Sequence, residues 1–354
     1  MGSPTLSAAT FLVDRTGQLD ADFRSIREAL DVAKNGDTVY LAPANISYGD
    51  VEIKKSIRLI GGGIPSEDLL PWRVGRHSRI DTLTFEPGAD GALIMGCEIV
   101  RLTYQNSDVA NHAHPHGVTF YRNHLHSVQI GLSGAANRPM NNLRLINNMT
   151  GDIVIGDSSF TQDFNDLQVL NNVIKSYLRL VSRQARMTGV CRNNLFFEDS
   201  RSFLEMDNFH VSFVDNVVML TGDTHTLRSG LHRPVWPDLT VGNVFVGAVQ
   251  LKSEDEPGNL VLAREEFQMV FPDWVTAARG ARIVTNAAAW ARIADDHPAK
   301  TAGVDGGEPG IFGGPHPFDP YQMPPLPFIS RIQAPAIVSE GEGMQVTVEI
   351  KSHR

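Results

Sequence analysis

The chain has 354 residues, too many for one ordinary core of about 100–150 residues, so it is either two domains or one elongated repeat fold. It is 42% hydrophobic and 20% charged, a globular composition, and its formal net charge of −9 disfavours nucleic acid as a partner. No apolar run is long enough to span a membrane, and two cysteines, Cys97 and Cys191, exclude a disulfide-rich scaffold.

Residues 1–19 read as a lead. Met1-Gly2-Ser3 has no basic region and no apolar region after it: either the protein stays inside, or a signal was removed and Met-Gly-Ser is a cloning remnant, the reading we favour. On that reading the protein is extracellular or periplasmic. Asp20 to Ala33 then predicts one amphipathic helix, with Phe23, Ile26, Leu30 and Ala33 on one face. Asp20 or Asp22 caps it and Asn35-Gly36 stops it, giving a capping helix over 20–35. DTVYLAP and DVEIKKSIRLIGGG follow with strand alternation and a glycine-rich corner.

From there asparagines recur after short alternating runs, at Asn123, Asn148, Asn172, Asn194, Asn216 and Asn243. The steps are 25, 24, 22, 22 and 27 residues, a mean of 24. A repeat of that length with two or three short strands fits a parallel β-solenoid. Its coils are about 4.8 Å apart, so the asparagines are expected to stack as an internal, structural ladder. A helix laid across the first coil would cover its open strand edges.

FRSIREALDVAKNGDTVYLAP followed by VEIKKSIRLIGGG resembles the N-terminal cap and first coil of pectate-lyase-like right-handed parallel β-helix proteins. DDHPAKTAGVDGGEPGIFGG resembles the closing segment of many bacterial members, and the likeness spans about residues 20–320. It implies an all-β fold: a right-handed parallel β-helix over 20–255, with a C-terminal region that folds back along it. It does not imply one activity, because the superfamily holds lyases, hydrolases, epimerases, phage tailspikes, adhesins and non-catalytic surface proteins. The signatures of its pectate lyases and polygalacturonases are absent here. So is the Asp-Pro-His of alginate epimerases, since Tyr321 follows Asp319-Pro320. No catalytic residue carries over.

The repeat predicts which side chains face out. After each ladder residue come a short strand, a loop and a second strand: SVQIG, DIVIG, YLRLV, FLEMD, TLRSG and AVQLK. Apolar residues at i and i+2 face inward, which leaves Gln129, Val154, Arg179, Glu205, Arg228 and Gln250 in an outward column. Arg179, Glu205 and Arg228 alternate in charge on successive coils and are the candidate catalytic residues if there is catalysis. Tyr177, Phe203, Asp207 and Lys252 flank them. Rings that stack on sugar faces beside arginines that fork onto carboxylates make a substrate-binding row for glycan. The alternative is a solvent-facing salt-bridge ladder with no ligand.

His112, His114 and His116 lie on one side of an extended segment and can converge on a metal, with His124 and His126 nearby. A polar surface loop is the competing reading. Asp152, Asp157, Asp163 and Asp166 can serve calcium or cap turns. No cofactor is required by any motif, and a divalent ion such as calcium is the one option left open. Residues 222–234 form a loop insert bearing Asp223, His225, Arg228, His232 and Arg233. Cys97 and Cys191 are about four coils apart, some 19 Å, beyond the reach of a disulfide.

Past Pro257 the period lapses, and 256–314 reads as irregular with helical patches at 265–269, 273–278 and 287–294. Trp274 and Trp290 read there as packing anchors. Residues 315–327 form a proline-rich tether, and 328–354 a β-hairpin turning at Gly341-Glu342-Gly343. The hairpin's apolar face needs a destination: a neighbouring copy, giving an oligomer or filament, or the end of its own solenoid. The first functional reading is a non-catalytic protein that binds polysaccharide or cell-surface glycan, or assembles on a surface. The alternatives are a uronate-directed polysaccharide lyase and a phage tail depolymerase.

Overall fold

The computed structural model describes residues 8–63, 77–104, 115–130, 140–156, 163–180, 186–198, 204–206, 209–220, 240–247, 258–273, 291–319, 324, 327–333 and 346–352. Two parallel sheets carry the chain. The first stacks Thr10–Val13, Thr38–Leu41, Arg58–Ile60, Leu93–Met95, Thr119–Tyr121, Arg144–Ile146, Phe164–Leu170, Met187–Arg192, Phe209–Val214 and Thr240–Val241. The second runs from Val51–Ile53 through Arg79–Phe85, Glu98–Tyr104, His124–Ile130 and Met149–Ile155 to Leu260–Leu262. Each coil contributes a strand to one sheet, turns, and contributes to the other. The fold is an all-β, right-handed parallel β-helix.

Alternation decides the strands. Val128, Ile130, Ile153, Ile155, Leu178 and Leu180 point inward and are buried, as expected. Rings of Phe85, Phe120, Phe164, Phe196, Phe213 and Phe245 fill the interior along the axis. The expected loop between two short strands is absent in two coils, where His124–Ile130 and Met149–Ile155 are continuous. In the next coil the strand does break, into Val173–Ile174 and Leu178–Leu180. Met149 pairs with Val173 but Ile153 with Leu178, so one extra residue has entered and bulges out.

The asparagine ladder is internal. From Asn148 onward the Asn Oδ1 accepts from the backbone N–H and the side-chain amide of the preceding coil's Asn. Its own Nδ2 reaches back to a buried carbonyl. Asn194, for example, accepts from Asn172 N at 2.9 Å and Asn172 Nδ2 at 3.0 Å, and donates to Val169 O at 2.8 Å. Asn123, Asn148, Asn172, Asn194, Asn216 and Asn243 all occupy it and are buried. Two members escape a 24-residue period. Asn259 extends it after a short coil, accepting from Asn243 N at 3.0 Å. Cys97 precedes it, donating its backbone N–H to Asn123 Oδ1 at 3.0 Å. Both cysteines are free and buried, and burial pushes the Cys97 thiol up to about 12. They have no redox partner in each other.

The residue before each ladder position has positive φ: Gly96, Arg122, Asn147, Asn171, Asn193, Asp215, Gly242 and Gly258. Gly, Asn and Asp enter that region at least cost, which is why the repeat reads Asn-Asn, Asp-Asn or Gly-Asn. This second column holds the C-terminal region. Val304 N donates to Asp215 Oδ1 at 2.7 Å, and Asn193 Nδ2 donates to Glu308 O at 3.3 Å. Asn171 Nδ2 reaches Gly313 O at 2.7 Å, and Asn147 Nδ2 reaches His316 O at 2.7 Å. Arg122 pairs with Asp319 at 3.1 Å, their side chains only 5% and 11% exposed. Residues 304–319 thus form a strap that descends the solenoid coil by coil. Gly310 has φ +77°, and a Cβ there would meet Val217 at 2.7 Å, so the strap needs glycine to lie this close. The fold-back is therefore observed.

Several boundaries differ from expectation. The capping helix is Ile26–Val32, not 20–35. Asp22 Oδ2 accepts from Leu12 N at 2.8 Å, and Phe23 exchanges backbone hydrogen bonds with Leu12 and Asp14, so that stretch stays extended. Ser25, not Asp20 or Asp22, is the residue at the helix start. Residues 291–294 are not helical; Ile293 is buried and Ala294 N bonds Val270 O. The proline-rich tether is bound as strap over 316–319, and Pro324 lies against Gly96. The hairpin pairs Pro327–Gln333 with Thr347–Ser352, so its first strand begins well before the expected turn. Val346, Val348 and Ile350 are 42%, 46% and 64% exposed. Trp274, Trp290, Asp157, Gly341 and the whole 222–234 insert lie outside the described residues. Among the described residues, no helix is long and apolar enough to cross a membrane.

The N-terminal cap is pH-sensitive. Burial would raise the Asp14 carboxyl, but the Thr16 hydroxyl and the Leu19 and Thr16 amides outweigh it and hold the group below its usual 3.8. Amides of Lys34 and Ala9 do the same for Asp37. A depressed folded pKa stabilises above the unfolded value and loses that contribution as pH falls through the folded one. An Asp14→Asn/Asp37→Asn variant should therefore melt below wild type at neutral pH, and the gap should close below about pH 4. A gap that stays constant down to acid pH would contradict this.

Candidate functional site

The ladder determines where the candidate site lies. The residue after each ladder position opens a second-sheet strand and faces outward. Read along the axis, that column is Arg79, Glu98, His124, Met149, Val173, Leu195, Val217, Val244 and Leu260. It is polar for three coils and apolar thereafter. The apolar part is buried with Phe267, Val270, Phe271, Ala291, Ile293, Ile311 and Phe318 from the C-terminal region. The polar part stays open.

At the boundary, Glu98, His124 and His126 converge, their ligand atoms within 4.8 Å of one another. Glu98 Oε1 lies 3.0 Å from His126 Nε2, and Oε2 lies 2.8 Å from His77 Nδ1. The rings of His124 and His126 stack with centroids 4.3 Å apart. Strand geometry explains the pair, since i and i+2 share a face. Register explains the carboxylate, because Glu98 is the direct partner of His124. Burial would raise the Glu98 carboxyl, yet hydrogen bonds from His126 and His77 hold it well below the usual carboxylate range. Burial, reinforced by His126, lowers His124 to about 4, so its imidazole is neutral at pH 7.

A hollow of about 300 Å³ opens beside this cluster, lined by His124, His126, Met149, Thr150, Gly151, Val173, Lys175 and Phe197. A larger one, about 600 Å³, lies by the capping helix. Its lysines are engaged structurally: Lys55 caps the helix carbonyls of Leu30 and Ala33, and Lys54 pairs with Glu52 and Glu86. Convergent acid–base groups therefore mark the smaller hollow.

The strands of the predicted column are in register as far as they are described. Gln129, Val154, Arg179 and Glu205 are direct register partners on adjacent strands. Arg179 is exposed and Tyr177 half-buried. Phe203, Asp207, Arg228 and Lys252 lie outside the described residues, as do His112 and His114. His116 is at a turn, where its Nδ1 accepts from Asn141 N at 3.2 Å. The aspartates are engaged locally: Asp152 accepts from the Ser127 hydroxyl at 3.0 Å, and Asp163 from Arg186 N at 2.9 Å. Among the described residues, Glu98, His124 and His126 are the one group of three with metal-ligand spacing. Sequence reading placed His124 and His126 near a cluster but missed Glu98 and His77. Glu98 carried a signal, since it follows Cys97, the ladder position one coil before Asn123.

No protein family model, no curated protein and no solved structure matches this chain.

Proposed function

We propose that this chain is a pectate-lyase-like β-helix of the cell exterior that binds acidic glycan without cleaving it, along its second sheet. The observation that carries this reading is the stack of Gln129, Val154, Arg179 and Glu205 in direct register on one face. Coils repeat at about 4.8 Å, close to the length of one pyranose, so successive rungs can meet successive sugars. Lys175 and Arg179 supply the cations that an acidic chain requires, and Tyr177 an aromatic face. Arg179→Ala/Lys175→Ala should weaken binding to an acidic glycan by about tenfold or more, roughly 1.4 kcal/mol, with an unchanged melting temperature. Affinity electrophoresis against uronate polymers measures it. Equal binding by wild type and variant would leave the column with solubility as its one role.

One observation favours the lyase alternative: Lys175, His124 and His126 share a hollow. Uronate elimination needs a cation at the carboxylate and a base at the adjacent carbon. Ultraviolet absorbance from new double bonds in the same glycans separates cleavage from binding.

A further inference from the structure

We infer that Glu98, His124 and His126 form a divalent transition-metal site with zinc as its natural occupant, a donor set that shares no residue with the histidine-rich segment at 112–116. Three features carry this beyond simple proximity.

The donor set is the first. Two imidazoles and one carboxylate are borderline ligands that suit zinc and its neighbours, whereas calcium takes oxygens. A tetrahedral zinc bonded at about 2.0–2.2 Å needs donors roughly 3.3–3.5 Å apart. The three donors already lie within 4.8 Å, with Glu98 Oε1 and His126 Nε2 at 3.0 Å. Small side-chain rotations complete the set. On binding, the cation takes the place of the Oε1–Nε2 hydrogen bond: the Nε2 lone pair of a neutral His126 turns to the ion and the ring hydrogen is carried on Nδ1.

Support behind the ligands is the second. His77 holds the other carboxylate oxygen of Glu98 at 2.8 Å, so the ligand is oriented before any ion arrives. The backbone is fixed as well: Cys97 N and His124 N are bonded to Asn123 Oδ1 and Cys97 O, at 3.0 and 2.9 Å. The ligands thus stand on the first residues of two strands locked by the asparagine ladder, not on loops.

Access is the third. The Glu98 side chain is 14% exposed and the His126 side chain 44% exposed, so the ion has a buried anchor and an open approach. Three protein ligands leave a fourth position directed to the hollow beside Lys175, where a water or a ligand oxygen can sit.

The test uses the full-length protein, stripped with chelator and titrated with zinc chloride by calorimetry. Wild type should bind zinc at this site. Glu98→Gln and His126→Ala should each weaken that binding more than tenfold, and His77→Ala by about 10–100-fold, as an orienting residue does. Cobalt(II) in place of zinc should give visible bands that change in His126→Ala. His126 is the one exposed member of the three, so that variant keeps the test readable if Glu98→Gln fails to fold. His112→Ala/His114→Ala/His116→Ala should retain this binding. No zinc uptake by wild type, equal uptake by the Glu98 and His126 variants, or loss confined to the 112–116 variant would each overturn the assignment. No glycan enters the experiment, so its outcome is independent of the proposed binding function.

Discussion

Asn194→Ala should destabilise the solenoid by about 2–5 kcal/mol, the cost of leaving two or three buried polar groups without partners. Asn194 Oδ1 accepts both the backbone N–H and the side-chain amide of Asn172, and its own Nδ2 reaches Val169 O and Asn216 Oδ1. Alanine removes these bonds and provides no replacement, because the position is fully buried. Asn172→Ala should behave alike, for the same reasons one coil earlier. Rungs nearer solvent should cost less: Asn259, the last rung among the described residues, is half-buried, where Asn194 is fully buried. The gradient from centre to end is the diagnostic part. Urea denaturation of Asn194→Ala and Asn259→Ala would reveal it, and equal losses would show that cooperative stacking does not govern the ladder.

The asparagines illustrate what was legible in the chain and what was not. Their recurrence near 24 residues was enough to predict coils, ladder and sheet register. The same register then placed Arg179 beside Glu205, 26 residues on, without any contact information. It could not show that consecutive asparagines divide the work. In Asn171-Asn172 and Asn193-Asn194 the first residue turns the backbone through positive φ and holds the strap, while the second enters the ladder. Both roles favour the same residue type, so composition cannot separate them. Cys97 and Asn259 escaped for other reasons: one is not an asparagine, and the other follows a short coil of 16 residues. The Glu98 cluster escaped because its members come from three different coils. Histidine density drew attention to 112–116, whereas the carboxylate that organises His77 and His126 stands alone in the sequence.

The tether and hairpin posed the opposite difficulty. Proline content suggested an extended linker, but its described part is held against the solenoid, with the His316 and Pro317 carbonyls taken by Asn147. The closing segment and strap therefore act with the solenoid, while among the described residues the two hairpin strands form a sheet of their own. Two deletions separate these roles. Removing 328–354 should leave a folded solenoid with a near-native melting point. If the exposed Val346, Val348 and Ile350 mediate association, any oligomer seen by size exclusion should disappear with them. Removing 291–354 should be far more damaging. It uncovers Met149, Val173, Leu195, Phe197, Val217, Met219, Val244 and Val246 along one face. At about 1.5–3 kcal/mol for each fully buried apolar side chain, the loss is on the order of 10 kcal/mol, comparable with the whole stability of an ordinary domain. The product should aggregate or bind a hydrophobic dye. Asn147→Ala/Asn171→Ala gives the same comparison in a full-length chain, because it releases the strap while leaving the ladder asparagines in place. Limited proteolysis should then cut within 304–319 at a protease level that spares wild type. If the 291–354 deletion melts like the 328–354 deletion, the apolar column would have to be covered by something other than the strap and closing segment.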